Sequence, residues 1–327
     1  MDICVKNTAV RFCGRWQINE NNAVTTAAGS SFELAFAGTY VVLKFSVDWN
    51  EHPYPHLYIK VDNGAKIEVP LDRIIRIETE DNSNHILKVI FKGAMEMQNR
   101  WYASPLVSCV NFLGAVSEGT GVLPSDNRKT IEFIGDSITE GVLVDPFYQF
   151  EKKDAKNRPN QDDATATYAY LTAEKLNMRP VIIGYGGMGI TCGGCGCVPE
   201  AEKIYPYNFE NSPRKDEQAE IIVINYGAND IRWDSNAEFF IRKYVDFLKL
   251  VRKINPKSKI VVLSPFCGLF SEELKEMVQK FNKENSDNIF YINSKGWVPA
   301  KPLHPLREGH NILSLHLTKE LKKIIDC

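Results

Sequence analysis

The chain has 327 residues, 44% of them hydrophobic and 24% charged, with a formal net charge of −2. That length supports two domains with separate cores, while the near-neutral charge gives no electrostatic basis for a nucleic acid or an anionic membrane as partner. No run of 18 apolar residues is present to span a bilayer.

The start, Met1-Asp-Ile-Cys-Val-Lys-Asn7, has no basic stretch followed by an apolar one, so we expect no signal peptide and a cytoplasmic protein. The eight cysteines (Cys4, Cys13, Cys109, Cys192, Cys195, Cys197, Cys267, Cys327) are then expected as reduced thiols.

Residues 1–125 read as an all-β domain. Strands are expected at Phe32–Phe36, Tyr40–Val47, Leu57–Val61, Ile67–Val69, Ile74–Ile77 and Ile86–Phe91. In Leu57–Val61 apolar residues alternate with Tyr58 and Lys60, as a half-buried strand requires. Asp62-Asn63-Gly64 is a hairpin turn between two such runs. Many short strands at regular spacing point to an antiparallel sandwich of jelly-roll type. The prolines of His52-Pro-Tyr-Pro-His56 forbid a helical metal-ligand face there. Trp49, Tyr54, Trp101 and Tyr102 could stack on sugar rings or serve as packing residues.

Residues 126–327 read differently. Five near-continuous apolar runs, Ile131–Ile134, Val181–Ile183, Ile221–Ile224, Ile260–Leu263 and Ile289–Ile292, suit strands buried on both faces. Helical patterns follow at Ala164–Leu176, Ser235–Asn255, Ser271–Phe281 and Asn311–Ile325. Ser235 and Glu238 form a capping-box pattern, and Pro256 ends that helix. The alternation predicts a doubly wound, flavodoxin-like α/β domain with a five-stranded parallel sheet. Ligands of such sheets bind beyond the carboxyl ends of the strands. The long polar segments Val144–Asp163 and Thr191–Gln218 follow such ends and are expected to rim the cleft.

Ile131-Glu-Phe-Ile-Gly-Asp-Ser-Ile-Thr-Glu-Gly141 carries the chemistry. An apolar strand enters a tight turn at Gly135, and Ser137 sits where a helix would begin. Backbone N–H groups at that corner can stabilise an oxyanion, which suits a nucleophile. A serine there can equally be an ordinary helix cap. Three further blocks accompany it: Val181-Ile-Ile-Gly-Tyr-Gly-Gly-Met-Gly-Ile190, Ile221-Ile-Val-Ile-Asn-Tyr-Gly-Ala-Asn-Asp230 and Leu303-His304-Pro305.

In content and order these four blocks resemble those of the SGNH (GDSL-type) hydrolases, over roughly residues 128 to 327. With the β-sandwich ahead of it, the layout is similar to family 2 carbohydrate esterases. The resemblance implies Ser137 as nucleophile, His304 as base, and an oxyanion hole from Ser137 N–H, Gly187 N–H and the Asn229 side chain. One position departs from the pattern. The family's usual aspartate, three residues before the histidine, is Lys301, which cannot accept an imidazole N–H. A Ser-His dyad with other support for His304 is therefore expected. Asp136, Trp233 and Trp297 are counted as candidate substrate-binding residues.

Other motifs read as incidental. Gly184-Tyr-Gly-Gly-Met-Gly189 matches G-x-G-x-x-G but follows the second strand of its domain, and no helical pattern comes after it. Cys192, Cys195 and Cys197 lack a nearby fourth zinc ligand. No metal and no cofactor are expected. The function expected is a serine esterase removing O-acetyl groups from manno- or xylo-oligosaccharides. Two alternatives are an esterase, lipase or thioesterase with a non-carbohydrate acyl donor, and a sugar-binding protein that has lost turnover.

Overall fold

Alternating apolar and polar residues along the first third of the chain produce antiparallel pairing. In the computed structural model, which describes residues 1–145, 158–215, 218–233 and 236–325, ten strands make one continuous hydrogen-bonded system. They are β1 (Asp2–Ile3), β2 (Val10–Cys13), β3 (Gln17–Ile18), β4 (Ala23–Thr25), β5 (Ser31–Ser46), β6 (His56–Val61), β7 (Ile67–Pro70), β8 (Ile74–Glu78), β9 (Asn84–Gly93) and β10 (Val110–Thr120). The β6–β7 pair closes at Asp62-Asn63-Gly64, the expected hairpin. Phe32, Leu34, Phe36, Leu43, Leu57, Leu87, Phe91 and Phe112 meet in the sandwich core.

Two expectations need correction. Phe32–Phe36 and Tyr40–Val47 belong to one 16-residue strand, β5. It pairs with β2 and β9 along its first half and with β8 along its second. The change of partners happens within a strand, so no turn marks it in the sequence. β10 was not expected. Its ladder to β5 slips between Phe112 and Gly114 and again between Ser117 and Gly119, and such bulges break the period-two pattern.

The second unit follows the expected architecture. After β11 (Thr130–Gly135) come α1 (Ser137–Glu140), α2 (Arg158–Gln161), α3 (Tyr168–Lys175), β12 (Arg179–Gly184), α4 (Ala201–Ile204), β13 (Tyr207–Phe209) and β14 (Ser212–Pro213). Then follow β15 (Ile221–Asn225), α5 (Ala237–Ile254), β16 (Lys259–Leu263), α6 (Ser271–Asn285), β17 (Phe290–Ile292) and α7 (Arg307–Ile325). The parallel sheet has the order β12-β11-β15-β16-β17. Ile134, Ile222, Ile224 and Val262 pack with Phe240, Phe247 and Leu274 on one side. Ile131, Phe133, Val223 and Val261 pack with Tyr168, Leu313 and Leu317 on the other. Asn236 caps α5 by accepting from Phe239 N–H at 2.8 Å; Ser235, the expected cap, lies outside the described residues.

The two units share a seam. Ala27 lies in the core of the second unit, and Tyr58 and Ile90 pack on Tyr170. Arg15, buried, donates to the carbonyls of Tyr205 (3.0 Å) and Tyr207 (2.5 Å). Much of Thr191–Gln218 is therefore a clamp rather than a rim. Tyr205 is fully buried and donates to Glu132 at 2.7 Å, and Arg214 pairs with the same carboxylate at 2.7 Å. In the other expected rim, Phe147, Tyr148 and Phe150 lie outside the described residues. No helix among the described residues is long and apolar enough to cross a membrane.

Candidate active site

β11 delivers Ser137. The strand ends at Gly135, Asp136 caps α1 by accepting from Ile138 N–H at 2.9 Å, and Ser137 is the first helical residue. Its Oγ lies 2.8 Å from His304 Nε2, a direct hydrogen bond between residues 167 apart in the chain. That distance is what proton transfer from a nucleophilic hydroxyl to a base requires. Lys301 is exposed. The loop carrying His304 is instead tied down three residues later. Arg307 N–H donates to Val144 O at 3.0 Å, and the guanidinium reaches Asp145 (2.9 and 2.7 Å) and Asp163 (3.0 Å).

Asp163 is a hub between the units. It also accepts from Tyr58 OH of the sandwich (2.9 Å) and from Thr165 Oγ1 (2.7 Å). Burial works to raise its carboxyl, but Thr165, Lys66 and Arg307 together hold it below the ordinary carboxylate value.

His310 is not the base. It is fully buried, lies parallel to Tyr168, and its Nδ1 accepts from Tyr168 N–H at 3.0 Å. Burial, with His304 and Arg307 nearby, pulls it down to about 3, so the ring is neutral. His316 lies on α7 with its ring 5.2 Å from that of Trp297.

The second strand end supplies Gly187, which has φ +74°. That left-handed conformation disfavours a side chain, and a Cβ there would face Gly194 and Cys195. Two of the cysteines are wall material for it. Cys192 S–H donates to Gly187 O at 3.8 Å, and Cys195 N–H donates to Gly186 O at 2.7 Å. Among the described residues no group of three or more His, Cys, Asp or Glu side chains is arranged to hold a metal.

The third strand end supplies Asn229. Its side-chain amide donates to Met188 O at 3.1 Å and to Asp136 Oδ2 at 3.3 Å. Asp136 is 2% exposed, and its carboxylate thus serves α1 and Asn229 from behind Ser137 rather than facing a substrate. Asp230 anchors the loop after Gly187 by accepting from Thr191 N–H (2.7 Å) and Oγ1 (2.8 Å). Trp297 packs against the core on the α7 side. The side chain of Trp233 lies outside the described residues. A groove of about 830 Å³, lined by Lys60, Lys66, Lys88, Glu174, Arg307 and Asn311, opens between the units.

Sequence reasoning missed Glu140 and Arg100. They form a fully buried ion pair, and Glu140 Oε2 also accepts from Gly186 N–H at 2.6 Å. Glu140 was in view inside the serine motif; Arg100, from the sandwich, carried no local signal.

A doubly wound sheet that brings a serine, a histidine, a left-handed glycine and an asparagine to its strand ends defines a serine hydrolase of the Gly-Asp-Ser type. The chain belongs to the GDSL-like Lipase/Acylhydrolase family, whose model matches residues 133–312. It is 21% identical over 99% of its length to an acetylxylan esterase / glucomannan deacetylase of Cellvibrio japonicus, of which it covers 91%. It is 26% identical over 97% of its length to the cellulase/esterase CelE of Acetivibrio thermocellus, but spans only 39% of that protein. A family two carbohydrate esterase from Cellvibrio japonicus shares the fold across both units, with a TM-score of 0.81 at 20% identity, covering 100% of this chain and 98% of that one.

Proposed function

We propose that this protein is a serine esterase that removes O-acetyl groups from carbohydrate through a Ser137–His304 dyad. The 2.8 Å contact between Ser137 Oγ and His304 Nε2 carries the reading. Ser137 Oγ attacks the acetyl carbonyl while His304 takes its proton. The N–H groups of Ser137 and Gly187 and the Asn229 amide receive the oxyanion; the 3.3 Å bond from Asn229 to Asp136 is the weaker of its two and the one to be shared. Collapse breaks the bond to the sugar oxygen, which takes the proton from His304 and leaves as the hydroxyl. Water then attacks the acetyl-enzyme, with His304 taking its proton; collapse breaks the bond to Ser137 Oγ, which recovers the proton from His304, and the acetyl group leaves as acetic acid.

The carbohydrate part is supported by the relatives' names and by exposed aromatic side chains of the sandwich. Trp49 and Tyr102 present exposed aromatic faces on sandwich loops, suited to stacking on sugar rings. Trp233 remains a candidate wall of the sugar site. Acetylated xylo- and manno-oligosaccharides are the substrates of choice.

The test is acetate release from those oligosaccharides by wild type, Ser137→Ala and His304→Ala. Release by wild type alone supports the dyad. Absence of release from every acetylated sugar, by a folded wild type, overturns the reading.

A further inference from the structure

We propose that Arg100 and Glu140 are positioning residues for the oxyanion site, so that the sandwich unit, through one buried ion pair, sets the backbone of the hydrolase loop that carries Gly187. This rests on the esterase reading above and deepens it.

Four observations carry the proposal. Glu140 is the last residue of α1, in the same turn as Ser137, and its N–H donates to Asp136 O at 2.9 Å. Its carboxylate spans two partners, the Arg100 guanidinium on one side and Gly186 N–H, at 2.6 Å, on the other. Gly186 is the residue before the oxyanion glycine, so Glu140 holds the Tyr185–Gly186 peptide, one peptide ahead of the one that carries Gly187 N–H, whose carbonyl accepts from Cys195 N–H at 2.7 Å. Arg100 grips the same loop at two further points: its N–H donates to Gly196 O at 2.9 Å, and its guanidinium lies 5.0 Å from the centre of the Tyr185 ring. Glu96, from the same sandwich loop, lies so close to Gly186 that a Cβ there would fall 2.1 Å from its Oε2.

The physical logic is that of a carboxylate carried on the nucleophile's helix and bonded to the residue before the oxyanion glycine. Ser137 and Gly187 come from different strands and must keep their spacing as the carbonyl becomes tetrahedral. A buried carboxylate that ties the helix of Ser137 to Gly186 restrains that spacing. Arg100 and Glu140 are 1% and 4% exposed. A buried carboxylate of this kind costs solvation and holds its geometry only with its cation in place. The cation comes from the sandwich, which would make that unit part of the catalytic apparatus and not merely a sugar-binding appendage.

Arg100→Met and the double variant Arg100→Met/Glu140→Gln test this. In the double variant the new glutamine amide keeps a carbonyl oxygen for Gly186 N–H without a buried charge. Three readouts are combined: kcat and KM for an acetyl ester, the rate ratio between that ester and its thiono analogue, and amide hydrogen exchange over residues 185–196. Thiono esters make little use of an oxyanion hole, so a mispositioned hole compresses the ratio. Arg100→Met is expected to speed exchange at Gly186 and Gly187 and to lower kcat about 10- to 100-fold. KM should stay within about twofold, and the oxo/thiono ratio should fall with kcat. The double variant should fold like wild type and recover part of kcat, because it leaves no unpaired charge. The inference is overturned if either variant, folded, keeps the wild-type oxo/thiono ratio, whether kcat is unchanged or lowered. It is also overturned if exchange at Gly186 is unmoved. A wild type without turnover of any acetyl ester would instead overturn the esterase reading and this inference together.

Discussion

The two halves of the proposed site are each held by an arginine on a buried carboxylate, but one arginine is buried and the other half-exposed. On the nucleophile side, Ser137, Gly187 and Asn229 are locked by backbone hydrogen bonds and by the buried Arg100–Glu140 pair. On the proposed base side, His304 sits in a loop held by Arg307, whose side chain is 50% exposed and reaches the partly exposed Asp145 as well as the buried Asp163. Buried pairs keep geometry but tolerate no missing partner; exposed pairs are weaker and adjustable. The oxyanion donors have to match one tetrahedral geometry. In the proposed mechanism the base has to accept a proton from Ser137 and return it to a leaving group, and a softer tether suits that.

The contrast can be broken residue by residue, from the largest effect down. Ser137→Ala should lower kcat by at least about 10⁴-fold with its melting temperature close to wild type, read by acetate release and calorimetry. Gly186→Ala should come next. Its new methyl would meet the Glu96 carboxylate, itself paired with Arg158 at 2.7 Å, and the displaced loop should cost about 100-fold in kcat with little change in KM. Arg307→Met should cost about tenfold in kcat, because the His304 loop keeps its backbone bond to Val144. An Arg307 effect larger than that of Gly186→Ala would show that the base side is the rigid one.

The smallest effect on turnover and the clearest on stability belongs to His310. Its folded-state value lies near 3, against 6.5 for the free side chain. The native state therefore binds fewer protons than the unfolded state between these values, and stability is full above about pH 6.5 and lost as pH falls toward 3. The slope is about 1.4 kcal/mol per pH unit for this one group. Urea unfolding at pH 7 and pH 4.5 should show His310→Gln to be less acid-sensitive than wild type, with kcat near neutrality changed only a few-fold. Equal acid sensitivity in both proteins would remove His310 as the cause.

What could be read from the residues alone was whatever the physics keeps local. Five apolar runs announced a sheet buried on both faces. Gly135-Asp136-Ser137 announced a strand entering a helix, and Ser137, Gly187, Asn229 and His304 each belonged to a short motif near a strand end or the C-terminus. The 16-residue β5 and the bulged β10 were lost to sequence reading because a change of partner and a slipped register leave no periodic trace. Trp297, a candidate substrate-binding residue, is partly buried against the core of the second unit, and Tyr205, in an expected rim segment, is fully buried.

Only the tertiary structure decided what holds the motifs in place. Arg100 and Glu140 are 40 residues apart, Arg307 and Asp145 162, and Tyr58 and Asp163 105. Each pair joins groups with no individual signature, since any Arg, Glu, Asp or Tyr on a surface reads the same before the chain folds. Catalytic groups are limited to a few residue types by the chemistry of proton transfer and oxyanion binding, and so they can be recognised one at a time. Their supports need only an opposite charge or a donor at the right distance, a condition that many residues could satisfy and that only the packing of the two units selects.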